Sequence, residues 1–214
     1  QAVTWGHPDT TGIPNIDYFL SSELLEVSTA SDNYSEHLVL LRNVPTYYFR
    51  PEPPQNRYSR AQLGLPEGVR LYVCPQALFK FHPAFDEILH ELQRRDPDGR
   101  LVLIDDTHDG SSKRLFLDRL SKQFPGFVHY VIFLPRMAQE KFFGLLMTAD
   151  ALLDIPWFSG GNSSLEAFAF NAPIVTYCQS GTRSSATYYA LLQAGMVPEN
   201  LWNYDGSWAE YSRI

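Results

Sequence analysis

The sequence predicts an α/β fold, a Rossmann-like doubly wound parallel sheet, and three observations predict it. Short apolar runs of strand length alternate with amphipathic helical patterns from Val69 to Gly195. Turn formers punctuate the junctions between them. The composition, 44% apolar and 19% charged residues in 214, is that of a chain able to bury a core that offsets its ordering entropy.

Each element has its own warrant. Val69–Cys74 is an apolar run with strand composition. Pro83–Arg95 places Phe85, Ile88, Leu89 and Leu92 on one helical face. Leu101–Ile104 reads as a strand, and Ser111–Phe124 as a helix with Leu115, Phe116, Leu120 and Phe124 apolar. Phe127–Phe133 reads as a strand, Ala138–Thr148 as a helix and Ala151–Ile155 as a strand. Ser163–Phe170 is a helix, Pro173–Cys178 a strand, and Ser184–Ala194 a helix closed by Gly195. Alternation of this kind gives a parallel sheet covered by helices on both faces, joined by right-handed crossovers. Ligands of such sheets bind beyond the C-terminal ends of the strands, so the residues just after each strand are the candidates for chemistry.

The first part of the chain differs. It carries strand-like pieces at Ala2–Trp5, Asp17–Leu20 and His37–Leu41, then a Pro-rich connector from Pro45 to Pro54. A domain boundary is expected near residues 55–65, dividing the chain into 1–60 and 61–214. The net charge of −7 argues against a nucleic-acid binder, which needs basic residues to neutralise phosphates. No run reaches the roughly 20 apolar residues of a membrane span. Cys74 and Cys178 lie in apolar runs and read as buried strand thiols, not a disulfide framework. A cytoplasmic location is the expectation. The first residue is Gln and opens directly on a strand pattern, as expected of a chain that starts inside a larger protein.

The loop Ser159-Gly160-Gly161-Asn162-Ser163-Ser164 follows one strand and opens a helix. Glycines admit a ligand close to the backbone, and the helix N-terminus offers N–H groups and partial positive charge, which suits a pyrophosphate. Plain capping by Asn162 or Ser163 explains the same residues. Glu166, one turn on, could accept from ribose hydroxyls or be a surface glutamate. Lys80, alone among apolar neighbours, could neutralise a diphosphate leaving group or snorkel at the surface. Of Phe142 and Phe143, one is expected in the core, and the other could stack on a base. Arg183, beside a helix start, could reach an anion or lie on the surface. Asp105, Asp106, His108 and Asp109 form an acidic loop, which more often is solvated than metal-binding. No metal is expected.

Taken in order, these loops resemble the protein O-GlcNAc transferases and their bacterial relatives. The resemblance runs from Gly6-His7-Pro8-Asp9-Thr10-Thr11-Gly12 through Ile16-Asp17-Tyr18 and Tyr34-Ser35-Glu36-His37-Leu38. It continues at Leu78-Phe79-Lys80-Phe81-His82-Pro83 and Ala149-Asp150-Ala151-Leu152-Leu153-Asp154, and is clearest from Gly160 through Glu166 to Thr176. The resemblance implies the C-terminal lobe of a GT-B type glycosyltransferase, with residues 1–60 as the end of the N-terminal lobe and the interlobe linker. It implies an inverting transfer of a sugar from a nucleotide diphosphate, UDP-GlcNAc first among donors, to a hydroxyl acceptor such as a protein Ser or Thr. There is no further cofactor.

By that resemblance Lys80 is the catalytic candidate and contacts the donor diphosphate. Gly161, Asn162 and Ser163 stand where the family has a His-Thr-Thr run on the same diphosphate, so backbone donors survive while side chains change. Glu166 stands for an acidic ribose ligand. Phe142 replaces a histidine that stacks on uracil, and Gln139 replaces a lysine near the base. Ala77 replaces a donor-binding glutamine, which leaves Gln76 as its substitute. Arg183 completes the expected donor set. The acceptor-side lobe lies upstream of residue 1, so the chain is expected to be inactive alone. A nucleotide-sugar epimerase of the same architecture, a non-catalytic sugar-nucleotide-binding module and a receiver-like domain are the alternatives. The Gly160–Ser164 loop and the first 60 residues fit the last of these poorly. Nothing in the sequence speaks to oligomeric state.

Overall fold

The computed structural model describes residues 1–4, 6, 9–43, 49–55, 57–105, 109–155, 160–170, 174–176 and 201–203. The chain divides into two compact units, Gln1–Phe49 and Arg50–Ile214.

In the first unit, Ala2–Thr4 (β1), Tyr18–Ser22 (β2) and His37–Leu41 (β3) form a parallel sheet in the order β1-β2-β3. Val3 pairs with Phe19, and Phe19 with Leu38. Phe19 is buried, and the Tyr34 ring packs on it with centroids 4.5 Å apart. Glu36 anchors the loop before β2. Its carboxylate accepts from Thr10 Oγ1 at 2.6 Å and from the Thr11 backbone N–H at 2.9 Å. The Thr11 hydroxyl and Ser35 Oγ donate as well. These hydroxyl bonds hold the Glu36 carboxyl down at about 2.

The second unit opens on a short helix, Arg60–Leu63 (α1), whose Ser59 and Gln62 form a reciprocal capping box. Then strands and helices alternate: Leu71–Cys74 (β4), Pro83–Arg95 (α2), Arg100–Asp105 (β5), Ser111–Gln123 (α3), Val131–Pro135 (β6), Gln139–Thr148 (α4), Ala151–Leu152 (β7), Asn162–Ala169 (α5), Ile174–Thr176 (β8) and Leu201–Asn203 (β9). All six strands are parallel, in the order β6-β5-β4-β7-β8-β9. The chain therefore winds outward from β4 in one direction, then returns to β7 on its other side. This is the order of dinucleotide-binding folds, with a switch point between β4 and β7.

The apolar periodicity explains the packing. Leu71, Val73, Leu101, Val102 and Leu103 are fully buried in the central strands. Phe85 and Leu89 of α2, Phe116 and Leu120 of α3, and Leu145 and Leu146 of α4 face them. Leu115 departs from the expected face and is 72% exposed. The α2 and α3 helices are tied by an ion pair: Arg119 Nε and one terminal nitrogen donate to Asp86 at 2.6 and 2.9 Å, and Asp86 is fully buried. Arg50 donates twice to the carbonyl of Ala169, at 3.0 and 2.6 Å, which joins the Pro-rich connector to the C-terminal end of α5.

Two elements differ from the sequence expectation. Phe127–Tyr130 is a 3-10 turn, and the strand starts only at Val131. The strand after α4 is just Ala151–Leu152. The expected helix at 184–194 lies outside the described residues.

Candidate functional site

The switch point gathers two loops. On the β4 side, Pro75-Gln76-Ala77 leads into a 3-10 turn at Leu78–Lys80. That turn brings Lys80 back over Gln76, and Lys80 Nζ donates to Gln76 Oε1 at 3.0 Å. On the β7 side, Asp154 Oδ1 accepts from the backbone N–H groups of Ile155 and Gly160, both at 2.9 Å, and so folds the loop back onto itself. The two sides meet where Gln76 Nε2 donates to Ser163 Oγ at 3.0 Å. Gln76 is 4% exposed, and both ends of its amide are engaged.

Gly160 makes this approach possible. A Cβ at that position would lie 2.2 Å from Gln76 Nε2 and 2.4 Å from Ser164 Oγ, closer than any real side chain sits. The cap of α5 is Gly161, and no side-chain hydrogen bond caps it. Asn162 and Ser163 are the first helical residues, so capping by either does not account for the motif. Ser163 lies in the first turn of α5, at the positive end of its dipole.

Beside this junction lies a cleft of about 230 Å³, lined by Gln76, Ala77, Ile104, Arg136, Met137 and Phe142 with Pro75. The two adjacent phenylalanines divide as their positions demand. Phe143 is 6% exposed and packs on Phe170 with centroids 4.8 Å apart, whereas Phe142 faces the cleft. Glu166 is half-buried one turn into α5, and burial pushes its carboxyl above the ordinary range against the opposing hydrogen bond from Gln139. Gln139 opens α4, so α4 and α5 touch through these two side chains.

The structure thus brings Lys80, Gln76 and Ser163 into direct contact, sets Phe142 in the adjoining cleft, and pairs Glu166 with Gln139. Gly161 and Asn162 form the exposed start of α5. Arg183, His7 and Cys178 lie outside the described residues. Cys74 is fully buried in β4, and burial pushes its thiol far up. In the acidic loop, Asp109 Oδ1 accepts from the Ser111 N–H at 3.1 Å and so supports the start of α3, while Asp106 and His108 lie outside the described residues. Sequence reasoning gave no role to Asp154 or Arg136, and Gly160 only as one glycine of its loop. Arg136 directly follows β6, so the rule that strand ends carry the chemistry was the signal for it.

Two comparisons agree with this architecture. The chain is 24% identical over 186 residues to a probable UDP-N-acetylglucosamine–peptide N-acetylglucosaminyltransferase of Arabidopsis thaliana, covering 82% of this chain and 18% of that protein. A solved mutant O-GlcNAc transferase from Thermobaculum terrenum superposes with a TM-score of 0.68 at 22% identity, over 94% of this chain and 38% of that one. The chain is similar to these O-GlcNAc transferases over most of its length. Its fold is the Rossmann-like lobe of a GT-B architecture. The chain spans less than half the length of either relative. A third comparison concerns a different family: the family model described as Rhodanese-like domain matches residues 155–214, a stretch that contains α5, Cys178 and Arg183. Among the described residues, no helix is long and apolar enough to cross a membrane.

Proposed function

We propose that this chain supplies the donor-binding half of a glycosyltransferase that moves GlcNAc from UDP-GlcNAc to a protein Ser or Thr hydroxyl, with inversion. The observation that carries it is the contact of Lys80, Gln76 and Ser163 across the switch point, where parallel α/β sheets bind nucleotides. In the transfer, the acceptor oxygen bonds to the anomeric carbon while the bond from that carbon to the β-phosphate oxygen breaks. The electron pair leaves on the diphosphate, and the acceptor proton passes to a base. The ammonium of Lys80 and the N–H groups opening α5 stabilise the charge that develops on the leaving group, and no metal is required. Phe142 offers its ring to the uracil, and the Glu166 carboxylate accepts from the ribose. Arg183 is a further anion contact. The acceptor side belongs to a separate lobe, so the chain alone binds donor without turnover, and the setting is cytoplasmic.

Calorimetric titration with UDP, with GDP and ADP as controls, tests this. Saturable binding with UDP preferred is the expected result. A preference for GDP would move the donor to a guanine nucleotide, and no binding by any nucleotide to a folded chain would remove the donor site from it.

A second reading is favoured by the Rhodanese-like match over residues 155–214. Cys178 is followed by Gln179-Ser180-Gly181-Thr182-Arg183 and then by a helical pattern. Arg183 lies five positions on in the sequence, and a cation near a thiol favours the thiolate. Such a thiolate takes the outer sulfur of a sulfane donor such as thiosulfate: a Cys–S–S bond forms, the donor S–S bond breaks, and sulfite departs with the electron pair. Arg183 would then serve the thiol and not the diphosphate. Intact-mass measurement after incubation with thiosulfate is expected to gain one sulfur atom, reversed by a thiol reductant and absent in Cys178→Ser. No mass gain in the unaltered chain would dismiss sulfur transfer.

A further inference from the structure

We infer that Gln76 is a positioning residue for diphosphate binding, which acts through Lys80 and Ser163 and does not itself hold the ligand. This rests on the donor-site proposal above. Its amide has two ends, and both are used: the carbonyl accepts from Lys80 Nζ and the nitrogen donates to Ser163 Oγ, each at 3.0 Å. At 4% exposure it presents almost no surface to a ligand. Lys80 and Ser163 sit on opposite sides of the switch point, 83 positions apart in the sequence. One buried amide fixes the separation of the two.

Gly160 is a second observation pointing the same way. The loop places its Cα where any Cβ would strike Gln76 Nε2, and Asp154 holds the Gly160 N–H to keep the loop there. The backbone is thus shaped around the amide. The chemistry of the bridge also fits. A long lysine side chain carries considerable rotamer entropy, and ordering it before the ligand arrives lowers the cost of binding. A neutral amide orders it without adding a negative charge that would oppose a diphosphate. A carboxylate in the same place would anchor the ammonium more strongly and repel the ligand.

The test is a double-mutant cycle read by calorimetry, with UDP and uridine as separate ligands and thermal unfolding as a control. Gln76→Leu is expected to weaken UDP about tenfold, the loss set by disordering one charge-assisted contact, and to leave uridine unchanged. Lys80→Ala is expected to weaken UDP at least as much. In the Lys80→Ala background, Gln76→Leu is expected to cause little further loss, because its effect runs through Lys80. Gln76→Glu, which keeps shape and folding, is expected to weaken UDP more than Gln76→Leu does. Full additivity, equal losses for UDP and uridine, or unaltered UDP binding in Gln76→Leu and Gln76→Glu would each overturn the inference while leaving the donor site in place. Absence of UDP binding to the unaltered chain would remove the donor site and the inference with it.

Discussion

The two ends of the central sheet hold their polar groups in opposite ways. At the N-terminal end of β4, Asp96 is 6% exposed and takes Arg70 at 2.7 Å, Tyr72 Oη at 2.7 Å and the Gly99 N–H at 3.2 Å. One carboxylate there faces one guanidinium, and opposite charges are matched. At the C-terminal end, the bridging group is the neutral amide of Gln76, which orders Lys80 and Ser163 without contributing charge. Where the sheet only needs to be held, opposite charges are matched. Where an anion is to be received, the bridge is neutral and the neighbouring helix presents its N-terminus.

Substitutions should separate the two ends. Asp96→Ala leaves Arg70, Tyr72 and the Gly99 N–H without their shared acceptor. A loss of about 2 kcal/mol in unfolding free energy is expected, by denaturant titration, with UDP affinity unchanged in the folded protein. A parallel loss of UDP affinity would break the distinction between the ends. Gly160→Ala is the converse case. Its Cβ meets the Gln76 amide, so UDP affinity is expected to fall about tenfold by calorimetry, with the bridge displaced. Unchanged affinity would mean that the bridge does not matter to the ligand.

Acid should destabilise the fold through the Asp96 end. The Arg70 hydrogen bonds hold the Asp96 carboxyl at about 2, below its ordinary value near 3.8. A lowered value contributes stability that is complete above the ordinary carboxylate range and is lost as pH falls through it toward 2. Glu36 in the first unit behaves alike, held at about 2 by Thr10 and Thr11. Melting temperatures followed down to acid pH are expected to flatten in Asp96→Asn and in Glu36→Gln relative to the unaltered chain. The smallest expected effect is at Glu166, whose carboxyl is raised by burial. Uridine affinity should decline on acidification from above the usual carboxylate range, and Glu166→Gln should remove that decline.

Much of this was legible in the sequence, and the limits have physical causes. The alternation of periods was enough for the parallel sheet, and the candidate site residues were read from the strand ends. The turn at Phe127–Tyr130 was not legible, because its apolar residues serve the core equally well from a strand. Gly126, at φ 88°, sets the chain into the turn, and Phe127 and Tyr130 are buried from there. The helix Arg60–Leu63 is too short to show a period, and only its Ser59 and Gln62 capping box announces it. Gln76 was visible as a neighbour of Lys80, but its second partner is Ser163, 87 positions on, which no local pattern reveals. Phe142 and Phe143 were separable only by which one the α4 helix turns toward the core.

The most direct test of the central claim compares UDP with uridine on the unaltered chain and on Lys80→Ala, by calorimetry under one buffer. If the diphosphate sits at the switch point, UDP binds more tightly than uridine, and Lys80→Ala removes most of that difference while leaving uridine affinity as it was. Equal affinities for UDP and uridine, or a UDP advantage that survives Lys80→Ala, would contradict it.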